Sequence, residues 1–433
     1  MLRRIAPIIV IYLCTAATWF FLAKSVDDRT REYDTKLRGA VGELWGAKQR
    51  QEAPTAIARG REPSKIDPKA NKQKRETEKK QEAPIICKTD GAGDLVALQA
   101  SNLSVALSLE HRQKGLLWYS TYRVKFGARY EITNSATEHK CMTFVFKFPS
   151  EKAIYDDVRF LVGGEEIPDL PIYKGTLTRV LSLAPGQSDF VEVAYVTNGM
   201  DEWWYDFGSS VNQVKNFSLT MNTDFDQIDF PENSIAPTKK DNTATGWKLQ
   251  WTYANLLSSV KIGMVMPQKL NPGPWVSQVS HAAPISLFLF FFLLFVITTV
   301  RQIKIHPMNY FFIGASFFSF HLLLAYLVDH VSVHVSFIIA SVVSVALVVS
   351  YMRLVVGQKF AFLEVGISQF VFLVLFSYSF FFKGYTGLAI TALSIATLFV
   401  TMQITARLDW DAVFRKESGP QRRNDLADQP SAS

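Results

Sequence analysis

The sequence predicts a membrane α-helical protein with six transmembrane helices, one near the N-terminus and five near the C-terminus, and an all-β, sandwich-like domain inserted outside the cytoplasm. Three observations predict it. Residues Ile5 to Ala23 form an apolar run after Arg3 and Arg4. From Ala282 onward five further apolar runs follow, each near the roughly 20 residues that cross a bilayer. Between the two regions, apolar residues alternate with period two, the pattern of half-buried strands.

Composition requires this division. The chain has 433 residues with 33 Phe and 13% aromatic content, yet 20% of it is charged, so charge and hydrocarbon must be segregated. A net charge of +7 could suggest phosphate binding. Here the base sits in a run from Lys69 to Lys80 and beside the apolar segments, so nucleic-acid binding is not expected.

The first element, residues 1–24, is expected to be an uncleaved anchor. Its apolar run exceeds the roughly 7–15 residues of a signal peptide, and it exits through Leu22, Ala23 and Lys24 rather than an A-x-A-like site. Residues 25–48 continue as an amphipathic helix, because Val26, Thr30, Tyr33, Leu37, Val41 and Leu44 recur at spacings of four and three. That stripe is expected to pack on the outer domain, with homo-oligomerisation through a short coiled coil as the alternative. Residues 49–86, with Pro54, Pro63 and Pro68 and many charges, read as a flexible charged linker.

Residues 87–281 are expected to form the β-domain. Leu103, Val105, Leu107 and Leu109 share one strand face, as do Phe144, Phe146 and Phe148, then Phe217, Leu219 and Met221, then Trp247, Leu249 and Trp251. Gly163-Gly164 and Pro185-Gly186 supply turns. Many short punctuated strands indicate an antiparallel sandwich.

Residues 282–406 are the five-helix bundle, with runs Ala283–Val300, Asn309–Val328, Val331–Met352, Ala361–Phe382 and Tyr385–Thr405; residues 407–433 are a tail. Alternation from a cytoplasmic N-terminus puts Arg301, Lys304, Arg353, Lys359, Arg407, Arg415, Lys416, Arg422 and Arg423 inside. Among the short outer loops of the bundle only Lys383 is basic. This bias, not used in counting the helices, predicts that both termini are cytoplasmic.

Candidate functional residues fall into four groups. His321, Glu364 and Gln369 are polar groups at membrane depth, where ionisable side chains face a partner or a wet cavity. His281, Asp329, His330 and His334 gather at the outer face, and the His330 to His334 spacing would suit a metal if both lay on one helix face. The commoner role of such residues is capping and hydration, and no metal is expected. Trp203, Trp204 and Tyr205 could form an exposed aromatic platform, although alternation sends at least one inward. Cys87 and Cys141 lie on the outer side, where a disulfide or two buried thiols are both open. No nucleophile elbow, P-loop, HExxH or paired CxxC occurs, so neither enzymatic activity nor a cofactor is expected.

The stretch Ile305-His306-Pro307-Met308-Asn309-Tyr310, then Gly314, Leu322-Leu323-Leu324, Asp329-His330, the Ala340 to Tyr351 helix and Leu408-Asp409-Trp410 resembles the CreD family of bacterial inner-membrane proteins. Trp45-Gly46 with Gln49, and Leu109 to Tyr122, extend the resemblance. It implies an inner-membrane protein of cell-envelope integrity or stress response, with a periplasmic β-domain and with the lipid bilayer and other envelope proteins as partners. It implies no catalytic residues.

Overall fold

Six helices long and apolar enough to cross a membrane, and a large β-domain between the first and second of them, make up the computed structural model. It describes residues 2–59, 87, 93–151, 153–168, 172–208, 214–256, 260–382 and 384–406. Most of the expected linker, residues 60–86, lies outside these apart from the points named below, as does the expected tail at 407–433.

Helix α1 runs from Leu2 to Trp45, so it continues well past the apolar run that predicts it. Its first part belongs to a membrane unit with residues 271–433, and its last part to a β-unit spanning Asp34–Leu270. In the membrane unit α2 is Pro272–Val300, α3 Pro307–Leu327, α4 Val333–Val356, α5 Gln358–Phe381 and α6 Thr386–Thr405. The expected boundary at residue 282 is corrected here. Helix α2 begins at Pro272, where proline suits the first helical turn because its missing N–H has no intrahelical partner there. Residues up to His281 are polar enough to hide this helix from an apolar count, yet Trp275, Val276 and Val279 are buried.

The described residues of the β-unit form three sheets. Eight strands form the largest, in the order β14 (Lys239–Asn242), β15 (Trp247–Leu256), β13 (Val214–Thr223), β4 (Ala100–Lys114), β5 (Leu117–Thr133), β11 (Ser188–Met200), β7 (Tyr155–Val162), β8 (Glu165–Glu166). Five form the second: β3 (Asp94–Val96), β2 (Thr55–Arg59), β6 (Lys140–Lys147), β10 (Thr176–Leu183), β9 (Ile172–Tyr173). The third is β1 (Gln49–Glu52), β12 (Glu202–Asp206), β16 (Ile262–Val265). Residues 49–59 are therefore strand rather than linker. Gln49 and Gln51 of β1 and Ala56 of β2 are buried, and the two polar Gln conceal the period-two signal of β1.

The two larger sheets bury their apolar faces against one another. Phe126 of β5 stacks on Tyr195 of β11 at 4.9 Å and reaches Phe146 of β6 at 6.3 Å, while Tyr130 meets Phe144 at 6.0 Å. Leu103, Val105 and Leu107, then Phe217, Leu219 and Met221, then Leu249 and Trp251 fill the same core, in the phase that alternation predicts. Pairing is less local than the turns suggest. The Pro185-Gly186 turn joins β10 to β11, which lie in different sheets, and β4 pairs in parallel with β13.

Candidate functional site

In the β-unit a cleft of about 490 Å³ opens where α1 turns into β1. Gly46 makes the turn at φ +108°, and a Cβ there would stand 2.3 Å from the Asn198 carbonyl oxygen, so only glycine lets the chain run this close to β11. The approach is fixed by the buried Gln49 amide, which donates to Asn198 O at 2.9 Å, and by Met200 N–H, which donates to Ala47 O at 3.2 Å. One face of α1 supports this floor: Leu37 and Val41 pack on Leu117, Tyr119 and Met200. That is the role expected for the stripe, although Leu44 is exposed.

Charges frame the cleft in pairs. Asp201, a non-glycine residue at φ +67°, is held by its N–H to Ser120 O and its C=O to Met266 N, and its carboxylate accepts from Arg38. Arg38 also donates to Asp34 at 3.2 Å, and Lys48 to Glu202 at 3.0 Å. Burial pushes the Asp201 carboxyl up, and Arg38 only partly offsets it. Burial acts the same way on Glu202, but hydrogen bonds from Trp204 and Lys48 outweigh it and hold that carboxyl below its ordinary value. Burial, with the neighbouring Asp34 carboxylate, pushes the Tyr119 hydroxyl up to about 12. Between these pairs and Glu43 the slot is mainly apolar: Leu44 and Ile154, 63% and 85% exposed, line it with Ala47 and Met200. An exposed apolar slot of this kind suits contact with an apolar side chain.

The sequence candidates are distributed differently from expectation. In β12, Trp203 and Tyr205 point into the core and Trp204 to the opposite side, where its indole N–H donates to Glu202 at 3.0 Å. They form no exposed platform, because alternation places two of the three rings inside. Cys87 and Cys141 are joined in a disulfide, with Cα atoms 5.7 Å apart.

His321, Glu364 and Gln369 are each bound to a different partner. The His321 ring is buried against Trp19 and Phe320, centroids 5.5 and 4.8 Å away, and its Nδ1 lies 3.3 Å from Phe317 O. Glu364 pairs with Arg301 at 2.6 Å. The Gln369 amide donates to Ser344 Oγ at 3.0 Å, and Ser344 in turn donates to Ser316 O at 2.6 Å, a chain linking α5, α4 and α3. Gln369 sits between two π-helical stretches of α5, Ala361–Gly366 and Phe370–Leu375.

The outer-face cluster does not assemble. Asp329 is taken by Arg29 of α1 at 2.9 Å, a pairing across 300 residues that no local pattern signals. His281 turns back on its own helix, 3.0 Å from Ser277 O, and His334 stacks on Phe381. His330 precedes the start of α4 at Val333, so the helical spacing that would align it with His334 does not apply. Among the described residues no group of three or more His, Cys, Asp or Glu could hold a metal ion.

Residues 276–411 match the family model described as inner membrane protein CreD. This segment resembles CreD. It takes in all but the first turn of α2, and all of α3 to α6. Within the matched segment, Ile305 to Tyr310 opens α3 and Asp329-His330 closes its turn into α4. No curated protein matches the chain. Among solved structures, the chain is similar to the Legionella pneumophila protein lpg2210 at 8% identity and a TM-score of 0.30, over 45% of this chain and 73% of that one. It is also similar to an M1 zinc metallopeptidase from Deinococcus radiodurans at 9% identity and a TM-score of 0.25, over 40% and 42%. Likenesses this slight carry no reading of activity.

Proposed function

We propose that this CreD-family membrane protein acts without catalysis in cell-envelope integrity or envelope stress response, its β-domain engaging other envelope proteins through the cleft beside Trp45. The carrying observation is the apolar slot of Leu44 and Ile154, left exposed beside the Arg38–Asp201 and Lys48–Glu202 pairs. In this reading both termini are cytoplasmic and the β-domain periplasmic. Arg301, Lys304, Arg353 and Lys359 at one set of helix ends support that placement, as does a disulfide suited to an oxidising compartment. The test is complementation of a deletion strain under detergent or wall-active stress. L44K/I154K protein should accumulate normally yet fail to restore tolerance; full restoration by that variant would refute the assignment of the cleft.

A second reading, transport or lipid handling by the bundle, draws on α5. Its two π-helical stretches flank buried Gln369, and π-turns recur at functional sites.

A further inference from the structure

The membrane unit has a groove of about 980 Å³ at the start of α1, which the proposed function leaves unused. One wall is Ala6, Pro7, Val10 and Ile11, all apolar; the other is the α2–α3 connection from Lys304 to Met308. Pro7 to Ile11 covers about 6 Å of helix axis, on a helix long and apolar enough to be a membrane span.

The connection is built to hold its shape. Ile303 N–H donates to Thr298 O at 2.9 Å, Ile305 is buried, and Asn309 accepts from the Tyr351 hydroxyl at 2.8 Å. Its two exposed polar side chains, Lys304 and His306, are both proton donors toward the groove. Lys304 makes no ion pair among the described residues. His306 Nδ1 accepts from Met308 N–H at 3.2 Å, which leaves the ring proton on Nε2. Among the described residues no Asp or Glu lines the groove, so they offer nothing to the ammonium of a zwitterionic headgroup.

We infer that this groove binds one anionic phospholipid, its phosphate against Lys304 and His306 and an acyl chain along Pro7, Val10 and Ile11. The inference needs α1 to lie in the bilayer and is independent of the cleft reading.

The test uses the full chain in detergent, with phosphatidylglycerol or phosphatidylcholine of identical acyl chains added, and bound lipid counted by native mass spectrometry. The wild type should retain phosphatidylglycerol preferentially. K304Q should lower that retention about fivefold, the effect of one basic side chain beside an anionic surface. V10W, which fills the apolar wall, should lower it as well, and soluble glycerol phosphate should not displace the lipid. Thermal unfolding of both variants confirms that they fold. Equal retention of the two lipids overturns the inference. So does undiminished phosphatidylglycerol in either folded variant, or displacement by glycerol phosphate, which would mark a site for a soluble anion.

Discussion

Asp201, just before β12, and Asp206, its last residue, should respond differently to the same substitution. Asp201 and Asp206 have side chains 10% and 12% exposed, and each faces an arginine. At Asp206, burial raises the carboxyl, but Arg50, the Gly208 N–H at 3.1 Å and Lys261 at 3.2 Å together outweigh it and hold the group below its ordinary value. At Asp201 burial wins over Arg38, and the group is raised. D206N therefore removes charge-assisted bonds worth roughly 1.5–3 kcal/mol in a buried setting. Because Arg50 is 51% exposed, the expected loss is discounted to about 1–2 kcal/mol. D201N removes a charge that the fold disfavours; Asn tolerates the left-handed backbone, and the change should stay within about 0.5 kcal/mol or be stabilising.

The pH dependence follows by linkage. The Asp206 contribution is present above the unfolded carboxyl value near about 4 and is lost as pH falls through the lower folded value. Asp201 acts in reverse: the folded state holds its proton more tightly, so its term is most favourable below the unfolded value and declines as pH rises through the raised folded one. Hydrogen exchange of β12 peptides in the full-length protein, from about pH 2 to about pH 7, spans both windows. If D201N destabilises as much as D206N at pH 7, or leaves the pH profile unchanged while D206N also does, burial is not what governs these carboxyls.

Replacing both Cys87 and Cys141 with Ser should cost the β-domain about 4 kcal/mol, the chain-entropy value for a 54-residue separation, read as a lowered urea midpoint that reductant reproduces in the wild type. In the bundle, His321 Nε2 has no hydrogen-bond partner, so H321L should leave abundance and envelope tolerance intact. Q369L should lower stability by about 1 kcal/mol through its lost bonds to Ser344. Loss of tolerance in H321L at normal abundance would favour the transport reading instead.

How much of the site was legible follows from the range of each signal. The pairing of Gln49 to Glu52 with β12 joins residues about 150 apart, and the Arg38–Asp201 contact spans a similar distance, so neither leaves a periodic trace. Trp45-Gly46 and Gln49 stood out only through family resemblance. Gly46 turned out to set the closest backbone approach in the cleft. Buried Gln49 and Gln51 misled the linker reading because polar residues at core positions look solvated until their partners, Asn198 O and the Tyr195 hydroxyl, are known.

The sequence by itself determined the six spans, the strand phases of the β-domain and the charge bias of the helix ends. Each depends on local repetition: hydrocarbon must be continuous to cross a bilayer, and alternate residues must share a strand face. Only the tertiary structure decided which sheet each strand joins, that Asp329 belongs to Arg29, that His321, Glu364 and Gln369 serve three separate partners, and where the cleft and groove open. Those depend on which distant surfaces meet, and a side chain's partner across hundreds of residues is chosen by the closed fold.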